Sequence, residues 1–248
     1  ASQAGVALER ARQILAAVAK NAGPDDRIDV WTANIDHKDA TRSLTNGFQP
    51  AGGEAVRAAV SRLGDAEYGA GAVDLKAALD QAVARFEGAA GRQQVLLYLG
   101  DGESAASAAP VTEAVRLDLG GRMADREVQF FAVPIGTKIH AYNLHGLATL
   151  TGGTVVRVTE DLNTDRSRGD AAALLRASFD APVLYPDART TKFGPEVAEV
   201  YPTRLPPLRA DRATLVLGRL AADAPSLTAA VAGRAAGKKA TVPPAERL

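Results

Sequence analysis

Residues 94–104 read QVLLYLGDGES. The five apolar residues from Val95 to Leu99 run directly into Gly100, Asp101, Gly102, Glu103 and Ser104. A short continuous apolar run bounded by glycine reads as a buried strand. It ends in a carboxylate set between two glycines. In open α/β sheets, ligands bind in the crevice at the carboxyl ends of the strands, and flanking glycines allow a sharp turn and close backbone approach. Asp101 is therefore either a ligand for a metal or phosphate, or the first residue of an Asp-Gly turn.

The segments on either side decide what kind of sheet this strand joins. Leu8, Ala11, Leu15 and Val18 recur at steps of three and four, which predicts an amphipathic helix over 5–21. Asn21, Gly23 and Pro24 stop it. RIDVWTA, 27–33, predicts a strand, and TRSLTNGF, 41–48, an edge strand turning at Asn46-Gly47. Val56, Ala59, Val60 and Leu63 give a second helix. Leu75, Ala78, Leu79, Ala82, Val83 and Phe86 give a third, with Asp74 as its N-cap. Beyond Ser104, a helix through Val111, Val115 and Leu119 is expected to break or end at Gly120-Gly121. VQFFAVPI, 128–135, is another apolar strand. A short helix through Leu144 to Ala148, a strand TVVRV at 154–158 and a helix over 168–179 complete the series. Alternating strands and helices predict a doubly wound, mostly parallel sheet covered on both faces. From Ala181-Pro182 the pattern changes: prolines at 186, 195, 202, 206 and 207 separate EVAEVYP, ATLVLGRL, SLTAAVAG and KKATVP. These are short strands at the spacing of a β-sandwich. The expected organisation is an α/β domain over 1–158, a helical linker over 159–182 and a partial β-rich domain over 183–248.

Totals narrow the function classes. Lysine plus arginine equals aspartate plus glutamate at 29 each over 248 residues, which argues against a general nucleic-acid binder. With no cysteine, disulfides, zinc-thiolate sites and cysteine nucleophiles are excluded. No run of the sequence is long and apolar enough to span a bilayer. The opening ASQAGVALERARQIL has neither methionine nor signal-peptide character, and it leads at once into a helix, so a fragment cut at both ends is expected.

Four places in register resemble a von Willebrand factor type A domain: SQAGVALERARQIL, GPDDRIDVWTAN, GAGAVDLKAALDQAV and VLLYLGDGES, with FFAVPIGTKIHAYNLHGLATLTGGTVVRV following in order. The resemblance covers residues 1 to about 158. It implies a doubly wound sheet whose first, central strand would precede Ala1. It also implies a metal-ion-dependent adhesion site, in which hydroxyl and carboxylate oxygens hold Mg²⁺ or Mn²⁺ and a ligand carboxylate completes the shell; hard cations prefer such oxygens. Carried over by residue, Ser2 matches the second serine of the Asp-x-Ser-x-Ser loop and Asp101 the later aspartate, with Gly100 in place of the usual threonine before it. The site's own threonine falls on Val73, which offers no oxygen. The loop's aspartate and first serine would lie upstream, so Mg or Mn belongs to the complete protein, and strong binding is not expected in this segment. EVYPTRLPPLRADRATLVLGRL further resembles the region after the type A domain in inter-alpha-trypsin-inhibitor heavy chains and related bacterial proteins, which implies export or a cell-envelope location.

Other motifs weigh less. GAGAVD, 69–74, mimics a dinucleotide loop but has Asp74 at the third glycine position. GRAAGKK, 233–239, is too short for a phosphate loop and lacks the hydroxyl residue after lysine. His140 and His145 are spaced off one helical face, with His37 apart from both, so zinc is not indicated. Asp25, Asp26 and Asp29 read as a solvated acidic turn. The leading expectation is a non-enzymatic module that binds a protein ligand at the sheet's carboxyl end, near Asp101, Val73, Ser2 and the loop 34–40. An α/β enzyme with a nucleotide or phosphate site, and a structural scaffold with a vestigial metal site, are the alternatives. Absence of the first strand would leave strand edges exposed and the segment prone to aggregate.

Overall fold

The computed structural model describes residues 5–33, 41–65, 73–86, 91–104, 111–158, 161–221 and 227–242. The first helix, α1 (Val6–Lys20), buries Ile14 and Ala17. It ends where Asn21 donates both its backbone N–H and its side-chain amide to Ala17 O. The expected strand over 27–33 is divided into β1 (Arg27–Ile28) and β2 (Trp31–Thr32). The division has a local cause: the Val30 N–H donates to Thr45 Oγ1 rather than to a backbone carbonyl. The short strands β3 (Arg42–Ser43) and β4 (Gln49–Pro50) pair antiparallel with β2 and β1 respectively. Asn46 and Gly47 both take positive φ in the turn between them.

Helix α2 (Glu54–Asp65) packs Val56, Ala59, Val60 and Leu63 against Val30 and α1. Helix α3 (Leu75–Ala84) is capped by Asp74, which accepts the Ala77 N–H at 3.0 Å. Then β5 (Gln94–Gly100) runs parallel to β6 (Val128–Pro134) in register from Gln94↔Val128 to Gly100↔Pro134. Between them α4 (Glu113–Asp125) continues through Gly120-Gly121 instead of stopping there. A Cβ on Gly120 would come within 2.6 Å of Leu150 Cβ. The glycine is thus the contact point with α5 (Ala141–Thr151) rather than a terminator. TVVRV joins the sheet as a single parallel bridge, Ala132↔Val155, with Ala132 donating to Thr154 O and Val156 donating to Ala132 O. Helix α6 (Asp165–Asp180) opens with a reciprocal Thr164–Ser167 capping box and lays Ala171 and Leu175 beside Ile14 of α1.

Both faces of the parallel strands are covered. Leu96 and Tyr98 pack with α3, α4 and α5, whereas Leu97 and Leu99 pack with α1 and α6. The architecture is therefore the doubly wound α/β arrangement expected.

The remaining chain is β-rich. Strands β7 (Val183–Pro186), β8 (Lys192–Phe193), β9 (Val197–Tyr201), β10 (Leu208–Arg209), β11 (Leu217–Leu220), β12 (Ala229–Ala235) and β13 (Lys238–Val242) pair antiparallel. One sheet has the order β10-β7-β12-β13 with β8 beside β12, and β9 pairs with β11 apart from it. GRAAGKK forms the β12–β13 hairpin, turning at Ala236-Gly237 with both residues at positive φ. Arg209 ties this segment to the first. Its guanidinium is almost fully buried and bonds Gly152 O, Ser178 O and Asp211, and it lies over the Phe131 ring.

Candidate functional site: the carboxyl end of β5

Asp101 follows β5 and is 7% exposed. Its Oδ1 accepts the Glu103 N–H at 3.0 Å, and its backbone O accepts the His140 N–H at 2.7 Å. The turn is thus stitched to the start of α5. Gly102 takes φ +77°, and a Cβ there would meet Leu144 at 2.8 Å, so glycine is required on two counts. Its N–H donates to Tyr98 Oη and its carbonyl accepts from Asn143 Nδ2 at 2.9 Å. Ser104 Oγ accepts the Leu75 N–H at the start of α3. His140 caps α5, with Nδ1 accepting from Asn143 N.

The sequence reading placed Asp101 and Val73 at one end of the sheet, and both line the same groove. Val73 is partly buried against the apolar cluster of Leu75, Leu79 and Phe130. Ser2 and the loop 34–40 lie outside the described residues. Among the described residues no group of three or more His, Asp or Glu side chains is arranged to hold a metal ion. Among the described residues, the groups beside Asp101 are the adjoining Glu103, whose N–H its carboxylate accepts, the Ser104 hydroxyl, which already accepts a hydrogen bond, and the methyls of Val73. Mg²⁺ takes about six oxygens in near-octahedral array, so these residues alone do not fit it.

Gly100 also has a structural cause. A Cβ at that position would stand 2.8 Å from Tyr98 Oη. Burial, and then the Asp101 and Glu103 charges, hold the Tyr98 phenol well above its ordinary pKa, so it stays neutral while it accepts the Gly102 N–H. Sequence reasoning passed over Tyr98, His140 and Asn143 as contributors. The available signal was the Tyr within an otherwise aliphatic strand, and a His-x-x-Asn spacing at a helix start. Beside this turn two apolar side chains face solvent: Ile139 at 39% and Tyr142 at 79% exposure.

The model of the von Willebrand factor type A domain matches residues 2–156. The chain belongs to that family. No curated protein sequence matches it. Among solved structures it is similar to a von Willebrand factor type A protein from Catenulispora acidiphila, with TM-score 0.63 at 14% identity, over 96% of this chain and 60% of that one. It is also similar to the human COPII-coat protein Sec24c, with TM-score 0.52 at 10% identity, over 96% of this chain and 41% of that one. An aerotolerance-related membrane protein from Bacteroides fragilis is similar with TM-score 0.49 at 13% identity, over 68% of this chain and 86% of that one. The type A chain from C. acidiphila is thus considerably longer than the present one. At these identities the likeness is one of fold. Among the described residues no helix is long and apolar enough to cross a membrane.

Proposed function

We propose that this chain is a non-enzymatic protein-interaction module that engages a protein ligand at the carboxyl end of its parallel strands, through a metal site that has degenerated. The observation that carries this is the pairing of a buried, structurally tethered Asp101 with exposed Ile139 and Tyr142 on the same rim. Family membership supports it, because type A domains generally serve as interaction modules. A polar turn flanked by exposed apolar side chains has the composition of an interface, with apolar anchors among hydrogen-bonding groups. Val73 makes the rim more apolar than the family's hydroxyl would.

In this reading Ser2 and Asp101 are the remnants of the metal shell, Mg²⁺ or Mn²⁺ is held weakly at most and only with the upstream loop of the complete protein, and the ligand is a protein rather than a nucleic acid. Residues 1–158 form the interaction domain, 159–182 the linker carrying α6, and 183–248 a partial β-rich domain like that of inter-alpha-trypsin-inhibitor heavy chains and related bacterial proteins. An exported or cell-envelope location follows from the same likeness.

The test has two arms. Calorimetric titration of Mg²⁺ and Mn²⁺ is made into a chain extended upstream by about thirty residues, with Asp101→Ala alongside. Absent or very weak binding is expected, and saturable binding that Asp101→Ala removes would overturn the degenerate-site reading. A photo-reactive residue at 142 should crosslink a discrete protein in a host extract, while one at the exposed Arg166 of α6 should not. Equal, diffuse labelling from both positions would remove the case for this rim.

A further inference from the structure

The turn between β3 and β4 carries chemistry that the interaction rim does not use. Among the chain's asparagines only Asn46 is followed by glycine. Asn46 is exposed and takes φ +56°; Gly47 takes φ +105°, with nothing within 4 Å of where its Cβ would stand. The carboxamides of Asn21, Asn143 and Asn163 each donate to an oxygen, at 2.8, 2.9 and 2.6 Å. That of Asn46 makes no hydrogen bond among the described residues.

The backbone N–H of Gly47 is held differently. It donates to Ser43 Oγ at 3.0 Å, and the Ser43 hydroxyl in turn donates to Asp29 Oδ1. Thr45 Oγ1 donates to the same Asp29 oxygen at 2.7 Å and accepts the Val30 N–H at 3.0 Å, which fixes the carboxylate in place. Asp29 Oδ2 is buried and lacks a hydrogen-bond partner among the described residues, so the carboxylate keeps acceptor capacity beyond Oδ1.

We propose that Asn46 is a self-modification site, converted to aspartate and isoaspartate by the turn itself, with Ser43 and Asp29 relaying the Gly47 amide proton. Gly47 N attacks Cγ of Asn46 while Ser43 Oγ takes the nitrogen's proton and passes its own to Asp29. The new C–N bond closes a five-membered succinimide. The Cγ–Nδ2 bond breaks, and the amide leaves as ammonia, taking the proton back from the relay. Water then opens the ring at either carbonyl. One opening gives aspartate; the other gives isoaspartate, with one methylene more in the backbone. Water is the only reagent consumed.

An amide N–H is a very weak acid, so its removal limits the step, and a positioned base accelerates such a transfer. Polarisation along the chain from N–H through hydroxyl to carboxylate strengthens each bond in it. The reacting atoms lie on adjacent residues, so no encounter has to be organised. Asn46 must rotate to bring Cγ up to Gly47 N, and its unanchored carboxamide allows that. Asp101-Gly102 is the contrast within the same chain. Asp101 is 7% exposed with Oδ1 tied to the Glu103 N–H, and the Gly102 N–H donates to the Tyr98 phenol. Among the described residues no carboxylate accepts a hydrogen bond from that phenol.

The test holds the 248-residue chain in mildly alkaline buffer, follows its acidic form by ion exchange and locates isoaspartate by peptide mapping. One added negative charge and isoaspartate at 46, with none at 101, are expected. Ser43→Ala should slow the conversion by about tenfold or more, and Ser43→Thr, which keeps the hydroxyl, should retain the parent rate. The parent rate should rise less than in proportion to hydroxide, because Asp29 supplies the base; in Ser43→Ala proportionality should return. Faster conversion in Ser43→Ala would overturn the proposal, since the hydroxyl would then be restraining the Gly47 N–H. If that variant unfolds, the parent profile decides: strict proportionality to hydroxide overturns the relay. Absence of isoaspartate at 46 in the parent overturns the site.

Discussion

At position 100 the chain carries hydrogen where the family's motif carries threonine, and the cause sits two residues upstream. A Cβ there would approach Tyr98 Oη to 2.8 Å and Cζ to 2.9 Å. Gly100→Thr should therefore cost about 1–3 kcal/mol by overpacking. The cost should shrink in a Tyr98→Ala background, with a coupling above ~0.5 kcal/mol in a urea double-mutant cycle; strict additivity would show that the ring is not the obstacle. Tyr98 also predicts behaviour in alkali. Its pKa is raised above the ordinary tyrosine value, chiefly by burial. Its contribution is therefore complete below about pH 10, the unfolded value, and is lost as pH rises toward the folded value. Urea midpoints measured between about pH 9 and 12 should fall more steeply for the parent than for Tyr98→Phe, and parallel curves would refute the assignment. At this scale Asp101 was legible, because an apolar run ending in Gly-Asp-Gly advertises a strand end. The hydrogen bonds that position it were not, since they come from Tyr98 one pleat earlier and from His140 and Asn143 some forty residues on.

Among the helices, α4 separates what a glycine signals from what it does. Gly120 and Gly121 are adjacent, yet a Cβ at 120 would meet Leu150 at 2.6 Å, while one at 121 would meet nothing within 4 Å. Gly120→Ala should destabilise by about 1–3 kcal/mol. Gly121→Ala should be neutral or stabilising by up to about 1 kcal/mol through helix propensity and a smaller unfolded-state entropy. Thermal melts of the two variants check the pair, and equal effects would mean that the α4–α5 contact does not depend on the missing methyl. Propensity alone read Gly-Gly as a stop, because the reward for glycine lies in a helix distant in sequence. The remaining helices were legible from apolar spacing. The strands at 27–33 and 154–158 were less so: each holds its place through a few bonds, Val30 to a threonine hydroxyl and Val155–Val156 to Ala132. Alternation of residue types cannot reveal such interruptions.

For the molecule as a whole, the joint between the α/β part and the β-rich tail turns on Arg209. Its buried guanidinium satisfies Gly152 O and Ser178 O and lies over Phe131. Arg209→Ala strands these carbonyls and should cost about 2–4 kcal/mol, with protease cutting between 186 and 208 appearing before global unfolding. A single cooperative loss with no early cleavage would show that the tail is held elsewhere. The hydrogen bond from Arg209, ahead of its charge, keeps the Asp211 carboxyl below the usual range. That link is whole above the unfolded carboxylate value of about 4 and weakens as pH falls below it. In Arg209→Ala the Asp211 titration followed by NMR should return to the ordinary range. Nothing in local sequence marks Arg209, which is one of many arginines in a proline-rich stretch; only the fold brings it to Phe131. The packing of α1 carries a consequence for synthesis. Ile14 shares its cluster with Leu175 of α6, about 160 residues later in the chain. At the ribosome's 5–20 residues per second, that apolar stripe waits on the order of ten seconds or more for its cover. Helix α1 is therefore secured well after the elements that directly follow it have emerged, and a nascent chain of this protein presents a ready hold for a chaperone throughout that interval.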